Sequence, residues 1–347
     1  MLKESRLYLI IVILVLSACG SQLRREVEAG AASTVSTQPP ATAQVTVTEA
    51  AHPTPTVTSS PATLEAQATP LNPTETPIPS PTPTDMPFVC PYLRGRIENG
   101  SLQSSAMGEQ VRFLVHLPPC YDQFPTKAFP VLYLFHGWPL NEWHWINLGV
   151  TEWSDDWVSR GLVGPFILVF PGVDRDGRYV YSSGGSASFE GFIVDELVPH
   201  IDQTFRTLRE PEGRAVGGIS RGGVWALEIA MRHQDLFASA GGHSPALALN
   251  NPLPQYDPFL LAREDMSGLR LYLDAGDGDW ARASTIRLRD LLIELGVDVT
   301  YELHSGGHVD GLWTDGIPDY LTFYTAPWPA SYEELPAWSE PEPSATP

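Results

Sequence analysis

The sequence predicts an α/β domain, with a mostly parallel central sheet covered by helices on both faces. Three observations predict it. Short apolar runs end in glycine-rich turns at residues 129–137 (FPVLYLFHG), 165–172 (PFILVFPG), 213–220 (GRAVGGIS) and 269–276 (LRLYLDAG). These runs are rich in β-formers or apolar throughout, as buried strands of a parallel sheet are. Helical patterns lie between them, and alternation of strand and helix implies parallel pairing with helices on both sides. The stretch able to fold, residues 88–329, has about the length of one such domain.

The chain of 347 residues opens MLKESRLYLIIVILVLSACG. Lys3 and Arg6 give a weakly basic start, and residues 7–16 form an apolar run too short for a bilayer-spanning helix. Small residues then lead to Cys19, the layout of a removable export signal. LSAC, residues 16–19, is similar to the lipobox of bacterial lipoproteins, in which the cysteine is lipidated and becomes the mature N terminus. Residues 1–19 are therefore expected to be a lipoprotein signal peptide. The mature protein is expected on the extracytoplasmic side, attached to the membrane by acyl chains on Cys19. Residues 20–87 are dense in Thr, Pro, Ala and Ser and hold no lasting period. They bury too little apolar surface to offset their ordering entropy, so they read as a disordered stalk. Residues 330–347 read as a second disordered, Pro-rich tail. The net charge of −20 argues against nucleic acid and anionic lipid headgroups as partners and suits a neutral substrate.

Within the domain, Cys90 precedes a first candidate strand and Cys120 follows the second, with a turn region at residues 98–110 (ENGSLQSSAMGEQ) between them. The outer ends of a hairpin lie close together, and an exported protein meets oxidising conditions, so Cys90 and Cys120 are expected to pair. The strand at 129–137 follows, then the strand at 165–172 and a helix at 189–205. The strand at 213–220 runs directly into a helical pattern, RGGVWALEIAMRH, whose Val224, Leu227, Ala230 and Met231 share a face. After the strand at 269–276 come a helix at 281–296, a further strand and loop in YELHSGGHVDGLW, and a final helix. In such a sheet functional groups gather at the carboxyl ends of strands.

One of those ends reads Gly218-Ile219-Ser220-Arg221-Gly222, a G-x-S-x-G between a strand and a helix. A sharp turn there forces an unfavourable backbone on the serine and lifts its hydroxyl clear of the sheet. The glycines let strand and helix approach, and the helix N terminus offers N–H groups. A serine needs a base, an orienting acid and an oxyanion site before it attacks a carbonyl. The chain order of this architecture is serine, acid, histidine. Downstream, LDAGDGDW supplies Asp274, Asp277 and Asp279, and His308 follows at a later strand end. The backbone N–H of Arg221 is one expected oxyanion donor, and Trp138, after Gly137 in FHGWP, supplies the other.

PVLYLFHGW, DELVPHIDQTFRT, GGISRGG with ALEIAMRHQDLFASAGGHSP, and GGHVDGLW together resemble the esterase-D-like branch of the α/β-hydrolases. That branch includes feruloyl and acetyl-xylan esterases, S-formylglutathione hydrolases and mycolyltransferase-like proteins. The resemblance covers nearly all of residues 92–324. It implies an α/β-hydrolase fold, ester hydrolysis through an acyl-enzyme, no cofactor and no metal. Ser220 would be the nucleophile and His308 the base. The family's G-x-x-D falls on Gly276-Asp277-Gly278-Asp279 and selects Asp279 as the acid, with Asp277 and Asp274 close enough to stay open. Arg221 stands where the family often has a small or apolar residue, and its charge is expected to select an acidic or polar acyl group. The substrate expected is a small-molecule or polysaccharide ester. A binding lipoprotein on the same fold, or an acyltransferase with the same residues, are the alternative readings.

Other residues read as support. His136 is expected to brace the oxyanion loop, because the base belongs late in the chain. His304, His308 and Asp310 have no matching ligand set elsewhere, which argues against a metal. Of Trp138, Trp143, Trp145, Trp153 and Trp157, Trp138 is the expected pocket residue and the others are expected core. Asp202 reads as a structural charge at a helix end.

Overall fold

The computed structural model describes residues 88 and 90–341, apart from 174–176, 182–183, 264 and 267. The expected signal peptide with Cys19, the expected stalk at 20–87 and residues 342–347 lie outside the described residues. The strands are β1 (Arg96–Gln103), β2 (Gln110–Leu117), β3 (Val131–Phe135), β4 (Ile167–Pro171), β5 (Arg214–Ile219), β6 (Ser239–His243), β7 (Arg270–Gly276) and β8 (Val299–His304). They form one sheet in the order β1-β2-β4-β3-β5-β6-β7-β8. β1 and β2 pair antiparallel, β2 joins β4 antiparallel, and every later pairing is parallel. The expected α/β-hydrolase architecture is present.

The main helices are α1 (Val150–Ser159), α2 (Val198–Thr204), α3 (Arg221–Arg232), α4 (Arg282–Glu294) and α5 (Asp310–Thr325). Alternate residues of a strand face opposite sides, and β5 shows how both are used. Gly218 faces the start of α3, while Gly217 faces the Tyr324 ring of α5, with Gly241 of β6 beside it. A Cβ at Gly217 or Gly241 would overlap the Tyr324 hydroxyl. The glycines thus let α5 lie close on the sheet. α3 is buried from Arg221 to Met231, more than the single face its apolar spacing marks. The helix expected at 189–205 is present with a π-helical stretch, Phe192–Leu197, leading into α2. Asp202 of α2 pairs with Arg214 and accepts from the Thr207 hydroxyl, the structural role expected of it.

Two local expectations are corrected and one, a disulfide, is met. The turn placed at 98–110 is shorter, because β1 continues to Gln103 and includes Asn99-Gly100. Gly100 is tolerated in the strand because the Phe113 ring occupies the space of a Cβ. The Cys90–Cys120 disulfide is formed, with Cα atoms 5.9 Å apart. Closing this loop removes unfolded-chain freedom worth on the order of 3 kcal/mol. The tail expected to be disordered from 330 is instead packed as far as the described residues reach. Tyr332 and Leu335 are buried, Ala128 N–H donates to the Pro336 carbonyl, and Trp338 N–H donates to the Thr126 carbonyl. Tyr332 stacks on Phe124, with Phe88 edge-on to both.

α3 also carries a buried acid. Glu228 is 1% exposed, and neither carboxyl oxygen has a hydrogen-bond partner among the described residues. Its neighbour Glu190 instead takes Arg232 and His233. Burial, and then the charge of Glu190, push the Glu228 carboxyl up to about 8, against the opposing pull of Arg221 and Arg232. The folded protein then holds a proton that the unfolded chain releases near the ordinary carboxylate value. Stability therefore falls as pH rises between the two values and is level above the upper one. The full difference is about 5 kcal/mol. Glu228→Gln is expected to remove that slope, so denaturant melts of variant and wild type between pH 5 and 9 should diverge as pH rises. Parallel pH profiles would contradict an unpaired buried carboxyl.

Candidate active site

Parallel register brings the chemistry to one edge. Phe135 pairs with Gly218, Ile219 with His243, His243 with Asp274, and Gly276 with His304. The loops after β3, β5, β6, β7 and β8 thus leave the sheet side by side. Ser220 occupies the turn between β5 and α3 at φ 56° and ψ −113°. A non-glycine residue there is strained by roughly 1–3 kcal/mol, and the surroundings must hold it. Ser220 N–H donates to the His243 carbonyl at 2.9 Å, and the Ser220 carbonyl accepts from Ala246 N–H at 2.9 Å. Gly218 and Gly222 meet backbone to backbone, and a Cβ at Gly222 would press on the Phe135 and His136 carbonyls. Both glycines of the motif are therefore sterically required.

Ser220 Oγ lies 2.9 Å from His308 Nε2. His308 Nδ1 lies 3.0 and 3.1 Å from the two carboxylate oxygens of Asp279. Asp279 is itself fixed, because its Oδ1 accepts Ala281 N–H at 2.7 Å. Burial alone would raise its pKa, but the hydrogen bonds from His308 and Ala281 outweigh it and hold the carboxylate below its ordinary value. The other two acids have different partners. Asp274 is wholly buried, 3.2 Å from His243 Nδ1, and accepts Ser244 N–H. Asp277 accepts Gly306 N–H at 2.9 Å and staples the loops after β7 and β8. Of the three acids open in the sequence, Asp279 is the one that meets His308.

The loop after β3 passes over Ser220, and a Cβ on Gly137 would lie 3.6 Å from the Ser220 Cβ. The Gly137 carbonyl accepts Leu140 N–H at 2.8 Å and lies 3.1 Å from His136 Nδ1. In a trans peptide N–H and C=O point in opposite directions, so the Trp138 N–H faces away from those two groups. His136 braces the loop as expected: its Nε2 accepts Val173 N–H at 3.2 Å, and its carbonyl accepts the Tyr179 hydroxyl at 2.6 Å. Arg221 is the first residue of α3, where N–H groups have no partner within the helix.

The cleft above Ser220 and His308 has a volume of about 300 Å³ and is lined by Trp138, Val180, Arg221, Ala246, Leu249, Asn250 and Trp280. The walls are mostly apolar. Trp138 is 53% exposed at the mouth, as expected of a pocket residue. Trp145 is core and donates its indole N–H to the Phe135 carbonyl, while Trp143 and Trp153 are exposed away from the cleft lining rather than core. Arg221 lines the cleft but is only 7% exposed. Its Nε donates to the Tyr179 carbonyl and a terminal nitrogen donates to Asn250 Oδ1, both at 2.7 Å. Its guanidinium thus ties α3 to the segment around Tyr179 and to the loop after β6. Trp280 was not singled out from the sequence. Its ring lies against His308, tilted by 38° with centroids 4.4 Å apart, and Trp313 meets the same imidazole edge-on at 5.1 Å. Its adjacency to Asp279 was the available signal. His304, His308 and Asp310 do not converge: they face Asp274, Asp279 and His144 respectively. Among the described residues no cluster of His, Cys, Asp or Glu has metal-binding geometry.

The family model described as "Putative esterase" matches residues 104–308. An endo-1,4-beta-xylanase/feruloyl esterase of Xylanibacter ruminicola is 32% identical over 153 residues, covering 42% of this chain and 21% of that protein. An esterase of Mycobacterium tuberculosis is 36% identical over 152 residues, covering 42% of this chain and 32% of that protein. The matched region thus spans less than a third of either relative. A solved ferulic acid esterase superposes with a TM-score of 0.61 at 22% identity, over 68% of this chain and 99% of that one, and shares the fold. The match over more than half of the chain places it in the putative esterase family.

Proposed function

We propose that the protein is an extracytoplasmic, lipid-anchored serine esterase that hydrolyses neutral carboxylic esters through an acyl-enzyme on Ser220. Ser220 Oγ attacks the ester carbonyl carbon as its proton passes to His308 Nε2. The carbonyl oxygen becomes an oxyanion that accepts from the N–H groups of Trp138 and Arg221. Collapse breaks the bond to the alcohol, which leaves with the proton from His308. Asp279 holds the imidazole in the productive tautomer and stabilises its cation. Water then attacks the acyl-enzyme by the same route, giving the acid and free Ser220. The observation that carries this reading is the unbroken hydrogen-bonded chain Ser220–His308–Asp279 at 2.9 and 3.0 Å, set at the ends of three strands.

The cleft has apolar walls and an open mouth, and the Arg221 charge is occupied by Tyr179 and Asn250. This favours an uncharged acyl group over the acidic one considered from the sequence. The feruloyl and ferulic acid esterases among the relatives support testing aromatic acyl groups, on small alcohols or on polysaccharide. The anchor rests on the segment ending at Cys19. The test is a panel of 4-nitrophenyl alkanoates and methyl hydroxycinnamates, followed by release of acid. Turnover with an initial burst of alcohol is expected. A folded protein that turns over none of them would contradict the reading. In cells, incorporation of labelled palmitate that disappears in Cys19→Ser supports the anchor, and unchanged incorporation excludes it.

A further inference from the structure

His144 takes no part in the chain of proton transfers, yet it lies between the oxyanion loop and the loop bearing His308. It sits in a short helical turn, His144–Asn147, after the oxyanion loop and is almost fully buried. Its Nδ1 accepts the Gly137 N–H at 3.1 Å. Its Nε2 faces Asp310 Oδ1 at 3.4 Å, and Asp310 opens α5 two residues after His308. We propose that His144 is a positioning residue that clamps the oxyanion loop and ties it to the loop bearing His308. This inference rests on the esterase reading of the site.

Gly137 is the residue whose backbone is least restrained by sterics, and the direction of the next N–H, that of Trp138, depends on it. The His136–Gly137 peptide is held at both ends. Its carbonyl accepts the Tyr179 hydroxyl and its N–H donates to His144. Removing His144 frees one end and loosens the Trp138 N–H, which the contacts of Leu140 N–H and His136 Nδ1 with the Gly137 carbonyl then hold less firmly. Preorganisation of that donor, rather than its presence, is what stabilises the transition state. The arrangement also dictates a tautomer. Because Nδ1 accepts an N–H, the neutral ring must carry its proton on Nε2, which then donates to Asp310. Burial lowers the His144 pKa, although Asp310 pulls the other way, so the neutral ring is favoured. Trp313 meets both imidazoles edge-on, His144 at 6.0 Å and His308 at 5.1 Å.

Two measurements test this. Long-range ¹H–¹⁵N spectra of ¹⁵N-histidine-labelled protein are expected to show His144 as the Nε2–H tautomer, assigned by its loss in His144→Leu or, should that variant fail to fold, in His144→Asn. An Nδ1–H tautomer would overturn the clamp whatever the activity. Kinetics supply the second readout. Asn places an acceptor near the position of Nδ1, whereas Leu fills the space with none. His144→Leu is expected to lower kcat by about 10- to 100-fold with KM little changed, less than the loss of a whole oxyanion donor. His144→Asn is expected to recover most of that loss. Equal activity in both folded variants, or a loss confined to KM, would overturn the inference while leaving the esterase reading intact. A wild-type protein that turns over no ester would instead overturn the reading on which it rests.

Discussion

Ser220→Ala is expected to lower kcat/KM for any accepted ester by at least ~10⁴-fold, and His308→Ala by a similar factor. The Ser220 hydroxyl is 2.9 Å from His308 Nε2, and the backbone bonds that hold the elbow come from Ser220 N–H and carbonyl, which alanine keeps. The fold should therefore survive the first change with its melting temperature nearly intact. The two losses should not add. Nucleophile and base act as one unit, so the double variant should be about as slow as either single one. Multiplicative loss across initial rates of the three variants would mean that one residue acts outside the relay. Full activity in Ser220→Ala would remove the serine from the chemistry altogether.

The second large effect separates the three acids. Asp279→Asn is expected to lower kcat on the order of 10⁴-fold with KM little changed. The Asp279 oxygen bonded to Ala281 N–H must remain an acceptor, so the new amide group replaces Oδ2, which lies 3.1 Å from His308 Nδ1. A donor there opposes an Nδ1–H, although Oδ1 at 3.0 Å still accepts, and favours the tautomer with the imidazole proton on Nε2, facing Ser220. The ring then cannot act as a base. Asp277→Asn should stay within about tenfold of wild type, because an asparagine oxygen still accepts Gly306 N–H, a bond of ordinary neutral strength. Asp274→Asn should mainly lose stability, since its carboxylate is wholly buried against His243 and Ser244 N–H. Steady-state kinetics with thermal melts on all three variants read this order directly. A large kcat loss in Asp277→Asn with Asp279→Asn near wild type would reverse the assignment.

Much of this was legible because local chemistry and global fold agree. Apolar runs closed by glycine marked β3, β4, β5 and β7, and the serine turn was readable because two glycines flank it on each side. β6 was not legible as a strand. Its sequence, SAGGH, has no β-branched residue, and Gly241 is set by Tyr324 of α5, a partner more than eighty positions away. The same limit applies to the acids. Asp274, Asp277 and Asp279 sit within six residues, and only the closing of the β7 and β8 loops on each other decides which one His308 reaches. Trp280 and His144 act through partners distant in the chain, His308 and Asp310 respectively. The tail failed for the opposite reason: composition was weighed over three anchoring residues, Tyr332, Leu335 and Trp338, that find partners on the domain.

The central claim is that Ser220 is an activated nucleophile. The most direct measurement is covalent labelling of the protein with a fluorophosphonate, followed by mass spectrometry of the labelled peptide. The expected result is one adduct per chain on Ser220, lost in Ser220→Ala and strongly slowed in His308→Ala. A folded wild-type protein that takes no label, or that takes it on another residue, would contradict the claim.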